Sequence, residues 1–404
     1  MKTVLTTLGI SLLVLAGCAG QKQAESNFIQ ENIDNAVAQE TIQTDIIEKS
    51  GKILNPRTID KDGNIVYVPI DDWCSGFFPG NIWHMYELTG DQKWLPLAEK
   101  YTEDLDSVQY LTWHHDVGFM IGSSYLNGYR FAGKEEYKPV IIQTAKSLST
   151  RFRPAAGVLQ SWDADKGWQA ERGWKCPVII DNMMNLDLLF YVSHLTGDDK
   201  YKRLALKHAD TTMQNHFRSD YSSWHVVSYN DDGTVGVKCT HQGKNDDSSW
   251  ARGQAWGVYG YTSCFRESKD VRYLKQAEGI ADMIMNRVKT KDLIPLWDYD
   301  APVTAETPRD ASAAAITASA LIELSTLTTD GQKYFDYAEN LLKNLSSSSY
   351  LAKPGENQGF ILMHSTGSLP NGSEIDTPIN YADYYYLEAL KRYMDVKGLT
   401  YNSL

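Results

Sequence analysis

One phrase recurs along this chain and restricts its architecture more than any other feature: Leu88-Thr89-Gly90-Asp91-Gln92-Lys93-Trp94, Phe131-Ala132-Gly133-Lys134-Glu135-Glu136-Tyr137, Leu195-Thr196-Gly197-Asp198-Asp199-Lys200-Tyr201 and Leu327-Thr328-Thr329-Asp330-Gly331-Gln332-Lys333-Tyr334. A degenerate copy stands at Arg266-Glu267-Ser268-Lys269-Asp270-Val271-Arg272-Tyr273. Each reads as a joint between two helices: a Gly or polar residue ends one in a left-handed cap, an Asp caps the next, and the aromatic packs on the hairpin. Helical hairpins repeated at intervals of roughly 43 to 73 residues predict quasi-symmetric stacking. The five hairpins supply ten helices. An N-terminal helix from Asn27 to about Ile53, with Ile29, Ile33, Val37, Ile42, Ile46 and Ile47 at helical spacing, and a closing helix from Tyr381 to Tyr393 bring the total to twelve. Twelve is the number a closed (α/α)6 barrel needs. An open solenoid is the alternative, but its terminal helices would be polar caps, and these are apolar. The expectation is therefore one all-α domain.

In such a toroid the short joints lie at one end and the long connections at the other. The long ones here are 69–76, 111–119, 152–180, 215–250, 288–310 and 347–379, and they hold most of the Trp, His, Gly and Pro clusters. Function is expected on that rim. Strand and turn signals occupy Asn55 to Pro69. Two carboxylates stand out. Asp181, in Val178-Ile179-Ile180-Asp181-Asn182-Met183-Met184-Asn185-Leu186, follows Pro177 and a loop bearing Trp162, Trp168 and Trp174, and reads as exposed at a helix start. Asp116, in Trp113-His114-His115-Asp116-Val117-Gly118-Phe119-Met120, has the same setting. Either alone would be an ordinary N-cap. Two on one rim can share a proton, because repulsion and partial burial raise one pKa and leave one acid and one base.

Composition narrows the class of partner. With 404 residues, 42% hydrophobic, the chain can bury a large core. A net charge of −12 argues against nucleic acid, so an acidic substrate would need a few placed cations. Eleven Trp and 24 Tyr exceed what a helical core requires, and such rings commonly stack on sugars. Lys2, the apolar run Val4 to Leu15 and Leu15-Ala16-Gly17-Cys18 read as a lipoprotein signal. The expected division is a signal peptide at 1–17, a polar tether at 18–27 with lipid on Cys18, and a catalytic domain at 28–404. The mature chain would then sit outside the cytoplasm of a bacterium, periplasmic or at the cell surface, touching membrane only through the anchor. Cys74, Cys176, Cys239 and Cys264 show no metal-ligand spacing and are expected buried and free. No metal or cofactor is expected. G-x-S-x-G, P-loop, G-x-G-x-x-G and H-E-x-x-H motifs do not occur.

Two further segments carry chemistry. Thr240-His241-Gln242-Gly243 is a polar loop, and Ser248-Ser249-Trp250-Ala251-Arg252-Gly253-Gln254-Ala255-Trp256 opens a helix with Ser248 or Ser249 as cap. Arg252 and Trp256, four apart, share a face, where a guanidinium beside an indole can hold a carboxylated ring. Taken singly, Arg252 could salt-bridge a loop, Trp256 could be core, and His115 and His225 could be satisfied rim histidines.

Trp73-Cys74-Ser75-Gly76-Phe77-Phe78-Pro79-Gly80, His115-Asp116-Val117-Gly118-Phe119-Met120, Asp181-Asn182-Met183-Met184-Asn185, Thr240-His241-Gln242-Gly243, Trp250-Ala251-Arg252-Gly253-Gln254-Ala255-Trp256 and Tyr381-Ala382-Asp383-Tyr384-Tyr385-Tyr386-Leu387-Glu388-Ala389-Leu390 together resemble glycoside hydrolase family 88, the unsaturated glucuronyl hydrolases. The resemblance implies an (α/α)6 barrel that removes 4,5-unsaturated uronic acid from lyase-generated oligosaccharides by hydrating its enol ether. It implies that Asp181 protonates C4 and then activates water, with Asp116 orienting the sugar. His225, Gln242 and Arg252 would contact the uronate or hold Asp181; Trp73, Trp168, Trp250 and Trp256 would be stacking walls; His115 and Thr240 would complete the substrate-binding set. The loop Gly372 to Asn380 departs from the family by lacking the serine pair found there in some members, which leaves open the polysaccharide served. An unsaturated rhamnogalacturonyl hydrolase of related family 105, a conventional inverting glycosidase and a non-catalytic glycan-binding lipoprotein are the alternatives.

Overall fold

The computed structural model describes residues 5–402. Helices α1 (Leu5–Ser50), α2 (Phe77–Thr89), α3 (Trp94–Glu103), α4 (Val117–Ser123), α5 (Tyr125–Ala132), α6 (Lys138–Ser149), α7 (Gly167–Glu171), α8 (Leu186–Thr196), α9 (Asp199–Asn215), α10 (Ala251–Ser268), α11 (Val271–Arg287), α12 (Ala311–Ser325), α13 (Gly331–Leu345) and α14 (Asn380–Lys397) form the body. Short strands decorate the connections: β1 (Asn55–Ile59) pairs with β2 (Ile65–Val68), β3 (Phe152–Arg153) with β4 (Val158–Leu159), and β8 (Ser365–Ser368) with β9 (Ser373–Thr377). A three-stranded antiparallel sheet runs β5 (Cys176–Ile179), β6 (Val226–Tyr229), β7 (Val235–Cys239).

The chain is an (α/α)6 barrel. Its inner ring runs α2, α4 with α5, α8, α10, α12 and α14, each touching the next, and α14 packs back on α2 to close it. Burial separates the layers. Helix α12 is buried almost all round with Ala at six positions (Ala311, Ala313, Ala314, Ala315, Ala318, Ala320), which lets neighbouring helices approach closely. Helix α13 instead buries one stripe, Tyr334, Phe335, Ala338, Leu341, Leu342 and Leu345, as an outer helix should. At the closing seam Gly80 stands against Tyr384; a Cβ there would lie 2.6 Å from the Tyr384 ring and 2.8 Å from the Ser123 carbonyl oxygen.

The joints follow the sequence expectation with local departures. Gly90, Gly133 and Gly197 end α2, α5 and α8 at φ 67°, 66° and 73°, and Lys269 takes the same left-handed role at φ 60°. Asp198 and Asp270 cap α9 and α11 by accepting from the Lys200 and Arg272 amides. Asp330 makes no such bond, and α6 starts with Pro139 in its first turn instead. Trp94, Tyr137, Tyr201, Tyr273 and Tyr334 are all buried. Inside the barrel an ion-pair chain ties inner helices together: Arg130 to Asp187 (2.9 Å), Asp187 to Arg266, Arg266 to Glu323 (2.6 Å) and Glu323 to Arg392 (2.9 Å).

The N-terminal expectation needs a correction. Helix α1 does not begin at Asn27; it runs unbroken through 19–26, the segment read as a tether. Gln23, Asn27, Gln30 and Asp34 make i to i+4 side-chain bonds that suit a helix. The Cys18 thiol lies outside the described side chains, and among the described residues no helix is long and apolar enough to cross a membrane. Cys74, Cys176, Cys239 and Cys264 are free and buried.

Closure at Gly80 is testable against a joint glycine. Gly80→Ala is expected to cost about 2–3 kcal/mol by forced overpacking, and Gly90→Ala, whose Cβ meets nothing within 4 Å, about 1 kcal/mol for its left-handed backbone. Urea-unfolding midpoints should rank them in that order, and a reversed order would remove the seam from the account.

Candidate active site

The long connections surround a cavity of about 640 Å³ at the rim, lined by both Asp116 and Asp181. The three-stranded sheet places the second of these. Ladder pairing of β5 with β6 ends at Ile179 opposite Val226, and the Ile180 amide donates to the His225 carbonyl at 3.0 Å. Asp181 and His225 therefore meet just beyond the last rung. Asp181 is neither exposed nor a cap: it sits in a 3₁₀ turn, Ile180–Asn185, that precedes α8, and only 9% of its surface is accessible. Its Oδ2 lies 3.7 Å from His225 Nε2.

The tautomer of His225 is fixed from behind. Its Nδ1 accepts from the backbone amides of His241 (3.1 Å) and Gln242 (3.2 Å), just past β7. The proton must then be on Nε2, aimed at Asp181. Burial, then the nearby His241 and Arg252 charges, hold the His225 pKa well below its ordinary value, so this ring is a neutral donor. The same device recurs at Asp116. The Asn185 side-chain oxygen accepts from the Phe119 amide (3.0 Å), which turns its NH₂ towards His115 Nδ1 (3.1 Å). His115 Nε2 then faces Asp116 Oδ1 at 3.3 Å. Gly118 makes this possible, because a Cβ there would fall 2.2 Å from the Asn185 oxygen. Asp116 occupies the N-cap position of α4, where its carbonyl accepts from the Met120 amide (3.0 Å) but its side chain caps nothing.

These surroundings push the two carboxyls apart. Burial, reinforced by the Asp116 charge, raises Asp181 to about 7 against the pull of Arg252 and of the Trp256 indole N–H. For Asp116 burial acts in the same direction, but His115, His114 and Arg151 outweigh it and hold the group below the ordinary carboxylate value. One acid and one ionised carboxylate in a single cavity can deliver a proton and then take one back. Among the described residues Asp181 Oδ2 and the Trp256 and His225 ring N–H groups are buried without a close hydrogen bond, and the two N–H donors, already turned towards Asp181, can tighten on its carboxylate once it forms.

The other expected site residues divide. Trp73, Trp168, Gln242 and Arg252 line the cavity. Trp256 is wholly buried and packs on Phe119 (5.2 Å) and Tyr385 (5.4 Å), so it is core with its indole N–H turned towards Asp181, and no wall. Trp250, 2% exposed, lies beneath Arg252 (4.4 Å) and His225 (4.7 Å). Trp250, rather than Trp256, is thus the indole beside the guanidinium, because α10 begins at Ala251 and puts Trp250 at its N-cap. Neither serine caps α10: Ser248 bonds Asp298 at 2.7 Å, and the Ser249 hydroxyl accepts from Arg287 at 2.9 Å. His115 and His225 are fully enclosed and act on the carboxylates. Thr240 spends its hydroxyl on the Gly243 amide (2.8 Å), closing a turn away from the cavity.

Arg252 is anchored over long sequence distances. Its Nη1 pairs with Asp310 (3.0 Å) and the Thr366 carbonyl (2.7 Å), its Nη2 with the Gly367 carbonyl (2.5 Å), and its Nε is buried with no hydrogen bond among the described residues. Sequence reasoning missed several lining residues. Arg57 and Glu374 pair across the cavity edge at 2.5 Å, and no local motif could have joined two positions 317 apart. Tyr381 and His241 lay inside motifs already singled out. His241 stacks on Trp168 at 4.0 Å and 8°, extending the wall made by Trp162, Trp168 and Trp174.

Comparison with known proteins agrees with this geometry. A family model described as Glycosyl Hydrolase Family 88 matches residues 47–399. An unsaturated glucuronyl hydrolase of Formosa agariphila is 45% identical over 341 residues, 83% of this chain and 84% of that one. One from Bacillus sp. strain GL1 is 34% identical over 342 residues, covering 82% and 89%. A crystal structure of an unsaturated glucuronyl hydrolase specific for heparin superposes with a TM-score of 0.89 at 47% identity, covering 94% of this chain and all of that one.

The displaced carboxyl has a consequence for stability. Because Asp181 rises from 3.8 to about 7 on folding, its stabilising contribution is complete below about pH 4 and is lost as pH climbs through about 7, a swing of about 4 kcal/mol. Asp181→Asn removes that titration. Measured by urea unfolding, the variant should gain on wild type between pH 4 and 8 and level off above; parallel curves would contradict the burial argument.

Proposed function

The chain belongs to glycosyl hydrolase family 88, and from that premise we propose that it removes 4,5-unsaturated uronic acid from the non-reducing end of polysaccharide-lyase products, glycosaminoglycan-type oligosaccharides above all. The observation that carries this reading is a pair of buried carboxyls lining one cavity, Asp181 raised by its burial and Asp116 held down by His115, His114 and Arg151. An enol ether accepts its proton at carbon, so a positioned acid is the main demand of the reaction. Asp181 delivers that proton to C4, and positive charge develops at C5 and the ring oxygen. Asp116, unprotonated, holds the sugar and stabilises that charge. Water adds at C5 and gives its proton to the Asp181 carboxylate. The resulting hemiketal opens without further help and releases the saturated fragment.

The supporting shell fits these steps. When Asp181 loses its proton, the His225 and Trp256 N–H groups are placed to receive the new charge. Arg252, whose side chain lines the cavity, is the cation we assign to the uronate carboxylate, with Gln242 beside it on the wall. Trp73 and Trp168 offer ring faces to the sugars.

Activity should need Asp181 protonated and should decline as pH rises through about 7. Incubation with unsaturated disaccharides should bleach the ultraviolet absorbance of the conjugated uronate. Asp181→Asn is expected to lower kcat by roughly 10²–10⁴-fold while substrate still binds; bleaching at the wild-type rate would reject the assignment. Asp116→Asn removes a like charge, so the alkaline limb of its residual activity should move to lower pH.

We also propose that the protein is a lipoprotein anchored through Cys18 outside the cytoplasm, a reading supported by Leu15-Ala16-Gly17-Cys18 after an apolar run. Expressed in a bacterium fed labelled palmitate, the wild type should carry label in the membrane fraction and Cys18→Ala should not. A labelled Cys18→Ala protein would end this reading.

A further inference from the structure

The cavity is deep and buried at Asp116 and Asp181, and its mouth is formed by an exposed flap between Trp162 and Trp174. Three arginines line it. Arg57 is paired with Asp72 (3.0 Å) and Glu374 (2.5 Å), and Arg252 with Asp310 (3.0 Å). Arg172, on the flap just after α7, is exposed and has no carboxylate partner among the described residues; its guanidinium lies 5.6 Å from the Trp174 ring. That contact holds the cation beside the indole, and no hydrogen bond from its guanidinium to another side chain or to the main chain is made among the described residues. Trp174 is itself 6% exposed and stacked on Trp162 at 6.0 Å and 19°, so the platform is fixed.

In a chain of net charge −12, an unpaired cation at the mouth of an anion-binding cavity is a departure from the general field. Its depth matters too. The uronate ring must reach Asp181 at the bottom, so a group at the mouth meets the next sugar. A guanidinium binds a tetrahedral oxyanion through two parallel N–H bonds, and on an amino sugar that oxyanion is a sulfate.

We infer that Arg172 reads a sulfate on the sugar adjoining the unsaturated uronate. The inference rests on the hydrolase reading above and adds to it the residue that sets preference among its substrates. Glu171, which lines the same mouth, opposes the anion and tempers that preference.

The test uses the intact protein and unsaturated uronate disaccharides that differ only in hexosamine sulfation. For wild type, kcat/KM should favour a sulfated member of the panel. Arg172→Ala should cut the ratio of sulfated to unsulfated kcat/KM by about tenfold or more, chiefly through KM. Arg172→Lys should restore part of it, and Glu171→Gln should raise it. A ratio unmoved by Arg172→Ala, or a loss equal on both substrates, overturns the proposal, the second because it would place Arg172 on the uronate. Should wild type turn over no member of the panel, the hydrolase reading fails separately. Binding followed by tryptophan fluorescence in Asp181→Asn then decides the matter: tighter binding of sulfated ligand that disappears on adding Arg172→Ala supports the assignment, and equal binding of both ligands rejects it.

Discussion

A carboxyl group keeps its proton at neutral pH when water is kept from it, and a second negative charge nearby adds to the effect; both conditions here come from the closed ring of helices. Asp181 reaches about 7 because burial dominates every other influence on it. The burial exists because α14 returns to α2 and the rim loops fold over the barrel mouth. Had the chain formed an open solenoid, the same residues would face solvent and Asp181 would ionise as any exposed carboxylate does. The acid is thus a property of the architecture as much as of the residue.

The site uses two neutral histidines in the same way. Each has its Nδ1 occupied by donors from the scaffold, the His241 and Gln242 amides for His225 and Asn185 for His115, and each presents Nε2–H to a carboxylate. Neither needs to ionise, and burial keeps both from doing so. Their role is to hold a dipole in place while charge on the carboxylates changes, which costs no reorganisation during reaction. Arg252 complements them, lowering Asp181 enough to remain usable while tied to Asp310 and the β8 backbone.

The barrel was legible in the sequence because its signals are local. A glycine or its substitute, a capping Asp and an aromatic recur within a few residues, and their chemistry does not depend on what lies across the molecule. The carboxylate pair was legible for the same reason. What could not be read are the pairings that the barrel creates between distant segments: Arg57 with Glu374, Arg252 with Asp310, Trp168 with His241. Burial at Asp181 belongs to this class, since a rim Asp in the sequence looks like an exposed cap. Trp256 shows the reverse error: it shares a face with Arg252 as the spacing required, but that whole face turns into the barrel, so the residue one turn further along is core.

The two amides that fix His225 belong to His241 and Gln242, whose side chains line the cavity. Main chain therefore orients the His225 N–H while side chains at the same positions line the cavity. Exchange of either side chain reshapes the cavity wall and leaves the dipole beneath it in place. The shape of the wall and the direction of the dipole are thus carried by different atoms of the same two residues, so one can change without the other.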